Sequence, residues 1–198
     1  MKILFVAILF IGCLQPETLP QNIPNRGFEE WSPGPTDAAQ PNFWETQNEQ
    51  DMIFVEKGEG LTGNHSACLN AAWDPMLKTF CGARLTTQFD FTKDADFVMF
   101  SGFYRGNAGN SDTLIVQIHL YTENRLIGHG IAYFFDNDYE WQQFTIPISY
   151  FSDEKPDRAM VSFSVSITEN GYPLTTYCVD ELLLTNKDIS TEYTGLKY

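Results

Sequence analysis

Three side chains in one short run could do recognition chemistry. In Thr113–Thr122 (T-L-I-V-Q-I-H-L-Y-T), Gln117, His119 and Tyr121 alternate with Leu114, Val116, Ile118 and Leu120, and on a strand these two sets point to opposite faces. Ala159–Thr168 repeats the pattern, with Ser162, Ser164, Ser166 and Thr168 opposing Val161, Phe163, Val165 and Ile167. An amide, an imidazole, a phenol and a row of hydroxyls suit non-covalent sugar binding. There aromatic faces meet pyranose C–H surfaces and planar polar groups satisfy hydroxyls that would be costly to bury unpaired. Tyr104, Arg105 and Tyr133 are expected to join them, with the loop aromatics Trp44, Trp73 and Tyr139 as further candidates and Trp31 and Trp141 assigned to the core. The same alternation also suits a plain solvated sheet face.

Covalent chemistry finds less material. The densest acidic cluster, Asp136, Asp138 and Glu140, lies in a turn between predicted strands and reads as solvated. A glycosidase carboxylate pair is compatible with so many acids. Yet no nucleophile elbow, zincin helix, P-loop or dinucleotide fingerprint occurs, and no catalytic residue is assigned. His65, His119 and His129 are scattered, and no C-x-x-C pair is present, so a zinc or redox centre is not supported. Cys68, Cys81 and Cys178 allow at most one disulfide, in any of three pairings, and otherwise read as small buried residues of strands.

The elements that must position these residues are strands. Runs at 51–57, 66–72, 81–91, 96–105, 113–122, 126–135, 141–148, 159–168 and 176–185 are separated by turn residues, including Gly106-Asn107-Ala108-Gly109-Asn110 and a hairpin at Glu123-Asn124-Arg125. Ser32–Pro41 reads as a surface loop. No window carries a capped 3.6-residue apolar period. Short strands at this spacing predict an all-β sandwich or barrel.

At the N-terminus, Lys2 precedes the apolar run Ile3–Ile11 and then Gly12-Cys13. The run is too short to span a bilayer, which takes about 20 residues, and has the secretory pattern. Phe10-Ile11-Gly12-Cys13 resembles the lipobox of bacterial lipoproteins, with Phe10 in the place of the usual leucine. The resemblance implies a signal peptide over 1–12 and acylation of Cys13. The Pro-rich stretch that follows, 13–25, reads as an extended tether, and one domain covers 26–198. Loss of Lys2 with the signal moves the formal charge from −14 to −15. Such a chain repels nucleic-acid phosphates and anionic headgroups, so nucleic-acid binding is excluded and the membrane is reached through the anchor alone.

Two segments far apart carry a second resemblance. Asn25-Arg26-Gly27-Phe28-Glu29-Glu30-Trp31, with Pro41 and Trp44 downstream, is similar to the opening of jelly-roll carbohydrate-binding modules, and Tyr177-Cys178-Val179-Asp180-Glu181-Leu182 to their last strand. Gly58–Leu69 and Asp96–Gly106 resemble intermediate segments in the right order. The resemblance implies a two-sheet antiparallel β-sandwich of jelly-roll type. It also implies a structural calcium held by Glu29 and Asp180 with main-chain carbonyls near 63–65, since calcium takes about 6–8 oxygens. On this reading the chain is a lipid-anchored protein of the cell envelope, at the outer membrane, that binds neutral glycan without catalysis. The alternative is an accessory lipoprotein that docks onto an outer-membrane protein complex.

Overall fold

The computed structural model describes residues 23–34, 38–49, 51–90, 97–108, 112–135, 138–168 and 174–185. Cys13, the signal segment and Asp136 lie outside them. The strands are β1 (Trp31–Pro33), β2 (Ala39–Pro41), β3 (Glu45–Thr46), β4 (Val55–Gly58), β5 (Ser66–Asp74), β6 (Thr79–Gly82) and β7 (Arg84–Asp90), then β8 (Met99–Asn107), β9 (Thr113–Thr122), β10 (Arg125–Phe134), β11 (Gln142–Pro147), β12 (Ser149–Tyr150), β13 (Arg158–Ser166) and β14 (Thr176–Thr185). No described helix is long and apolar enough to cross a membrane.

Two antiparallel sheets face each other. The first runs β12-β10-β9-β13-β7-β3, and the second runs β11-β8-β14-β5-β4 with β6 on β5. The expected all-β sandwich is the fold. Alternation sets its core: Leu114, Val116, Ile118 and Leu120 of β9 are buried, as are Val161, Phe163 and Val165 of β13. They meet Phe100 and Tyr104 of β8 and Val179, Leu182 and Leu184 of β14 in one apolar cluster. In β14 the register shifts between Asp180 and Leu183. Glu181 there has φ of +49°, so a bulge moves the buried set from odd to even positions. Glu123 and Asn124, both at positive φ, make the two-residue turn that joins β9 to β10 as expected.

Three expectations are corrected. The stretch 81–91 is not one strand: β6 pairs with β5 in the second sheet and β7 with β13 in the first, so the chain changes sheets at Ala83. A Cβ on Gly82 would stand 1.7 Å from the Val165 carbonyl oxygen, so only glycine fits that crossing. The surface loop expected over 32–41 includes a ribbon, with Trp31 opposite Pro41 and Ser32 opposite Gln40. Residues 23–25, expected at the end of the tether, are packed: Ile23 is buried, and the Pro24 carbonyl accepts the Trp44 indole N–H at 3.0 Å.

Candidate functional site

The face of the first sheet turned away from the core carries the candidate site. Register places Ser162 between Gln117 of β9 and Thr86 of β7, and Ser164 between Ile115 and Arg84. Glu45 of β3 follows beside Thr86. Apart from Ile115, these side chains, with Thr46, Gln47 and Met160, line a groove of about 430 Å³. The Ser162 hydroxyl lies 3.5 Å from Gln117 Oε1, a loose contact that leaves both groups able to turn to a ligand. One carboxylate and one guanidinium leave the lining without a net charge.

Of the residues expected to bind, Gln117 is in the groove. His119 and Tyr121 continue the same face along β9, their rings 6.4 Å apart, and the Arg158 guanidinium covers the Tyr121 ring at 5.2 Å. Burial, and the nearby His129, hold the His119 imidazole below its ordinary pKa, so the neutral ring is favoured. Tyr133 stands on the same face of β10, opposite Ile115, and is 54% exposed.

Three others belong elsewhere. Trp44 is a core residue, 1% exposed, because Phe28 and Phe163 pack on its ring at 5.1 and 6.0 Å. Tyr104 is buried between the sheets, its ring 4.4 Å from Phe134 and its hydroxyl donating to Gln142 Oε1 at 3.1 Å. Arg105 lies on the outer face of the second sheet, stacked over Trp141 at 4.7 Å and donating to the Glu59 carbonyl. Trp141 is therefore the seat of a cation–π contact there. Trp73 and Tyr139 are exposed, and Trp73 packs edge-on to Phe80 across the β5–β6 hairpin.

Glu45, Arg84 and Thr86 were missed. Arg84 and Thr86 alternate with buried Leu85 and Thr87, a period-2 signal present in the sequence. Their neighbourhood with Ser162 depends on a strand order that no local pattern encodes.

Glu29 and Asp180 come to one loop. Glu29 Oε1 accepts the N–H groups of Asn64 and His65 at 2.9 Å each, and these bonds, His65's first, hold its carboxyl below the ordinary range. Gly63 sits at φ +69° with the Glu29 carboxylate where a Cβ would be. Asp180, fully buried, accepts from Leu61 N–H and from its neighbour Glu181 N–H, each at 2.8 Å. Burial pushes its carboxyl up to about 7. For a calcium shell the fit is partial. A buried carboxylate beside Glu181 suits a cation, but the loop presents N–H groups to these oxygens. Among the described residues no group of three or more His, Cys, Asp or Glu could hold a metal.

The disulfide joins Cys68 to Cys178, leaving Cys81 free. The two face each other directly across β5 and β14, the adjacency that decides among the pairings left open by the sequence.

No protein-family model and no curated protein matches the chain. Solved structures do. A candidate glycoside hydrolase from Bacteroides vulgatus superposes with a TM-score of 0.59 at 13% identity, over 81% of this chain and 97% of that one. Another from Bacteroides thetaiotaomicron gives 0.59 at 12%, over 82% and 71%. A carbohydrate-binding module, TmCBM61, solved with β-1,4-galactotriose gives 0.55 at 14%, over 83% and 97%. The similarity is distant and concerns the fold, a β-sandwich shared with carbohydrate-binding modules and glycoside hydrolase domains.

Proposed function

We propose that this domain binds an uncharged glycan, without catalysis, along the outer face of the first sheet. The groove between β3, β7, β13 and β9 carries the proposal: its lining of hydroxyls, an amide and one charge of each sign can satisfy sugar hydroxyls. Tyr133 and Tyr121 supply rings at its flank. The formal charge of −14 disfavours acidic polysaccharides. The fold shared with a galactotriose-binding module supports the reading. A glycan array with residues 21–198 tests it: binding to neutral oligosaccharides is expected, and silence across a broad neutral panel refutes it.

The proposal includes an envelope location with Cys13 acylated. The lipobox resemblance supports it, as does the disulfide, since such bonds persist in oxidising compartments. Calcium at Glu29 and Asp180 is proposed on the strength of the buried carboxylate alone. Docking onto an envelope protein is the second reading, favoured by the β5–β6 hairpin tip, where Met76 is 90% and Leu77 67% exposed beside Trp73. Co-purification with an outer-membrane protein that needs no sugar would select it.

A further inference from the structure

His119 and His129 stand directly opposite each other on β9 and β10, and Met160 of β13 stands directly opposite His119 on its other side. One thioether and two imidazoles thus form a row across three adjacent strands. Directly opposed side chains start about 5 Å apart at Cβ, a span that side chains can close around one ion.

The Nδ1 atoms of both histidines are buried with no hydrogen-bond partner. A buried polar atom left unpaired is costly, and an ion or water is a common resolution. His129 is also fixed in place, its ring stacked on Phe151 at 5.1 Å. The lowered pKa of His119 favours the neutral form that ligates metals.

The donor set selects the class of ion. Zinc sites take four N or S ligands and calcium takes a shell of oxygens, but no carboxylate or thiolate joins this row. Gln88 and Ser149 extend the row opposite Met160 and His129, but these neutral oxygens are poor ligands for a soft ion, and thioether with imidazole suits Cu(I). The Arg158 guanidinium, opposite Tyr121 on the same face, repels a divalent ion about twice as strongly as a monovalent one. We infer that Met160, His119 and His129 form a binding site for a soft monovalent cation of the Cu⁺ class. The inference does not depend on the glycan reading.

Ag⁺ is the probe, because it shares this coordination chemistry and needs no reductant that could open the disulfide. It is titrated calorimetrically, in chloride-free nitrate buffer, into the full chain carrying Cys13→Ser and Cys81→Ser, so that no free thiol competes. One Ag⁺ per chain is expected. Met160→Leu should weaken binding at least about 10-fold, and His119→Gln or His129→Gln about 100-fold, the scale on which metal affinity responds to losses around a site. Met160→Leu nearly conserves volume, and the melting temperature of each variant without Ag⁺ separates lost ligation from lost folding. In histidine-edited NMR spectra, the ring signals of His119 and His129 should move together. No binding by the parent, unchanged affinity in the double histidine variant, or ring shifts confined to His65 would overturn the site.

Discussion

Glu29 and Asp180 fasten the two ends of one loop. Asp180 Oδ2 accepts the Leu61 N–H at 2.8 Å, and Glu29 Oε1 accepts those of Asn64 and His65 at 2.9 Å. An early segment and the last strand thereby converge on 61–65. The motif resemblance implies an ion at this fastening, and main-chain donors already contribute to it. Asp180 is buried within the clamp and Glu29 is exposed, so the two carboxyls answer oppositely to their surroundings.

The first prediction concerns pH. Burial pushes the Asp180 carboxyl from 3.8 up to about 7. Between these values the unfolded chain has released this proton and the folded chain retains it. Stability from this group is therefore full below 3.8 and falls as pH rises towards 7. Glu29, with its pKa lowered, acts only below its ordinary value of 4.5. From pH 5 to 7.5 the melting-temperature advantage of the wild type over Asp180→Asn should shrink steadily. A constant difference would refute the raised pKa.

The second concerns calcium. Occupancy would stabilise the folded state by mass action, about 2.7 kcal/mol at one hundred times Kd. Millimolar calcium should then raise the melting temperature and EDTA lower it, and Glu29→Gln with Asp180→Asn should abolish the response. Identical melting with and without chelator would leave the backbone N–H groups as the whole fastening.

The third concerns the disulfide. Cys68 and Cys178 are separated by 110 positions, and a link that closes a long loop restricts the unfolded chain most. Replacing both by alanine should cost about 2–5 kcal/mol in urea unfolding. Cys81→Ser should leave the bond intact, as thiol titration would show. A loss below about 1 kcal/mol for the double replacement would mean that the unfolded chain gains little freedom from losing the link.

What could be read in the sequence follows a physical division. The bounds of β9 and β14, Thr113–Thr122 and Thr176–Thr185, agree with expectation. For β9 the signal is local, because a strand covered on one side must alternate. Trp44 was legible as an aromatic but not as core, since Phe28 and Phe163, which bury it, come from distant segments. The change of sheet at Ala83 had only Gly82 as a signal, and the partner that requires glycine, the Val165 carbonyl, is on β13. The groove shows the same split. Gln117, Ser162 and Ser164 were visible as polar sides of strands, but Arg84, Thr86 and Glu45 join them only through strand order.

The fourth prediction concerns the anchor. Cys13→Ser should abolish acyl labelling and membrane association while leaving the fold unchanged by circular dichroism. The packed segment begins no later than Ile23, well after Cys13. Labelling that persists in the variant would refute acylation at this cysteine.

The fifth prediction separates the two faces of β9. Gln117 lines the groove and Tyr121 lies along the same face, while Ile118 between them is buried in the core. Gln117→Ala and Tyr121→Ala should each weaken glycan binding by about 1–3 kcal/mol, the cost of leaving a buried polar partner unmatched. Their melting temperatures should change little, because neither side chain belongs to the apolar cluster. Arg84→Ala, across the groove, should weaken binding on the same scale. Ile118→Ala should instead cost about 2–5 kcal/mol of stability through the cavity it leaves and spare affinity at temperatures where the variant is folded. Binding to a neutral glycan should also survive moderate salt, since stacking and hydrogen bonds are screened little compared with exposed charges. Affinity that falls steeply with salt, or that responds to Arg105→Ala on the opposite sheet and not to Gln117→Ala, would move the site off this face.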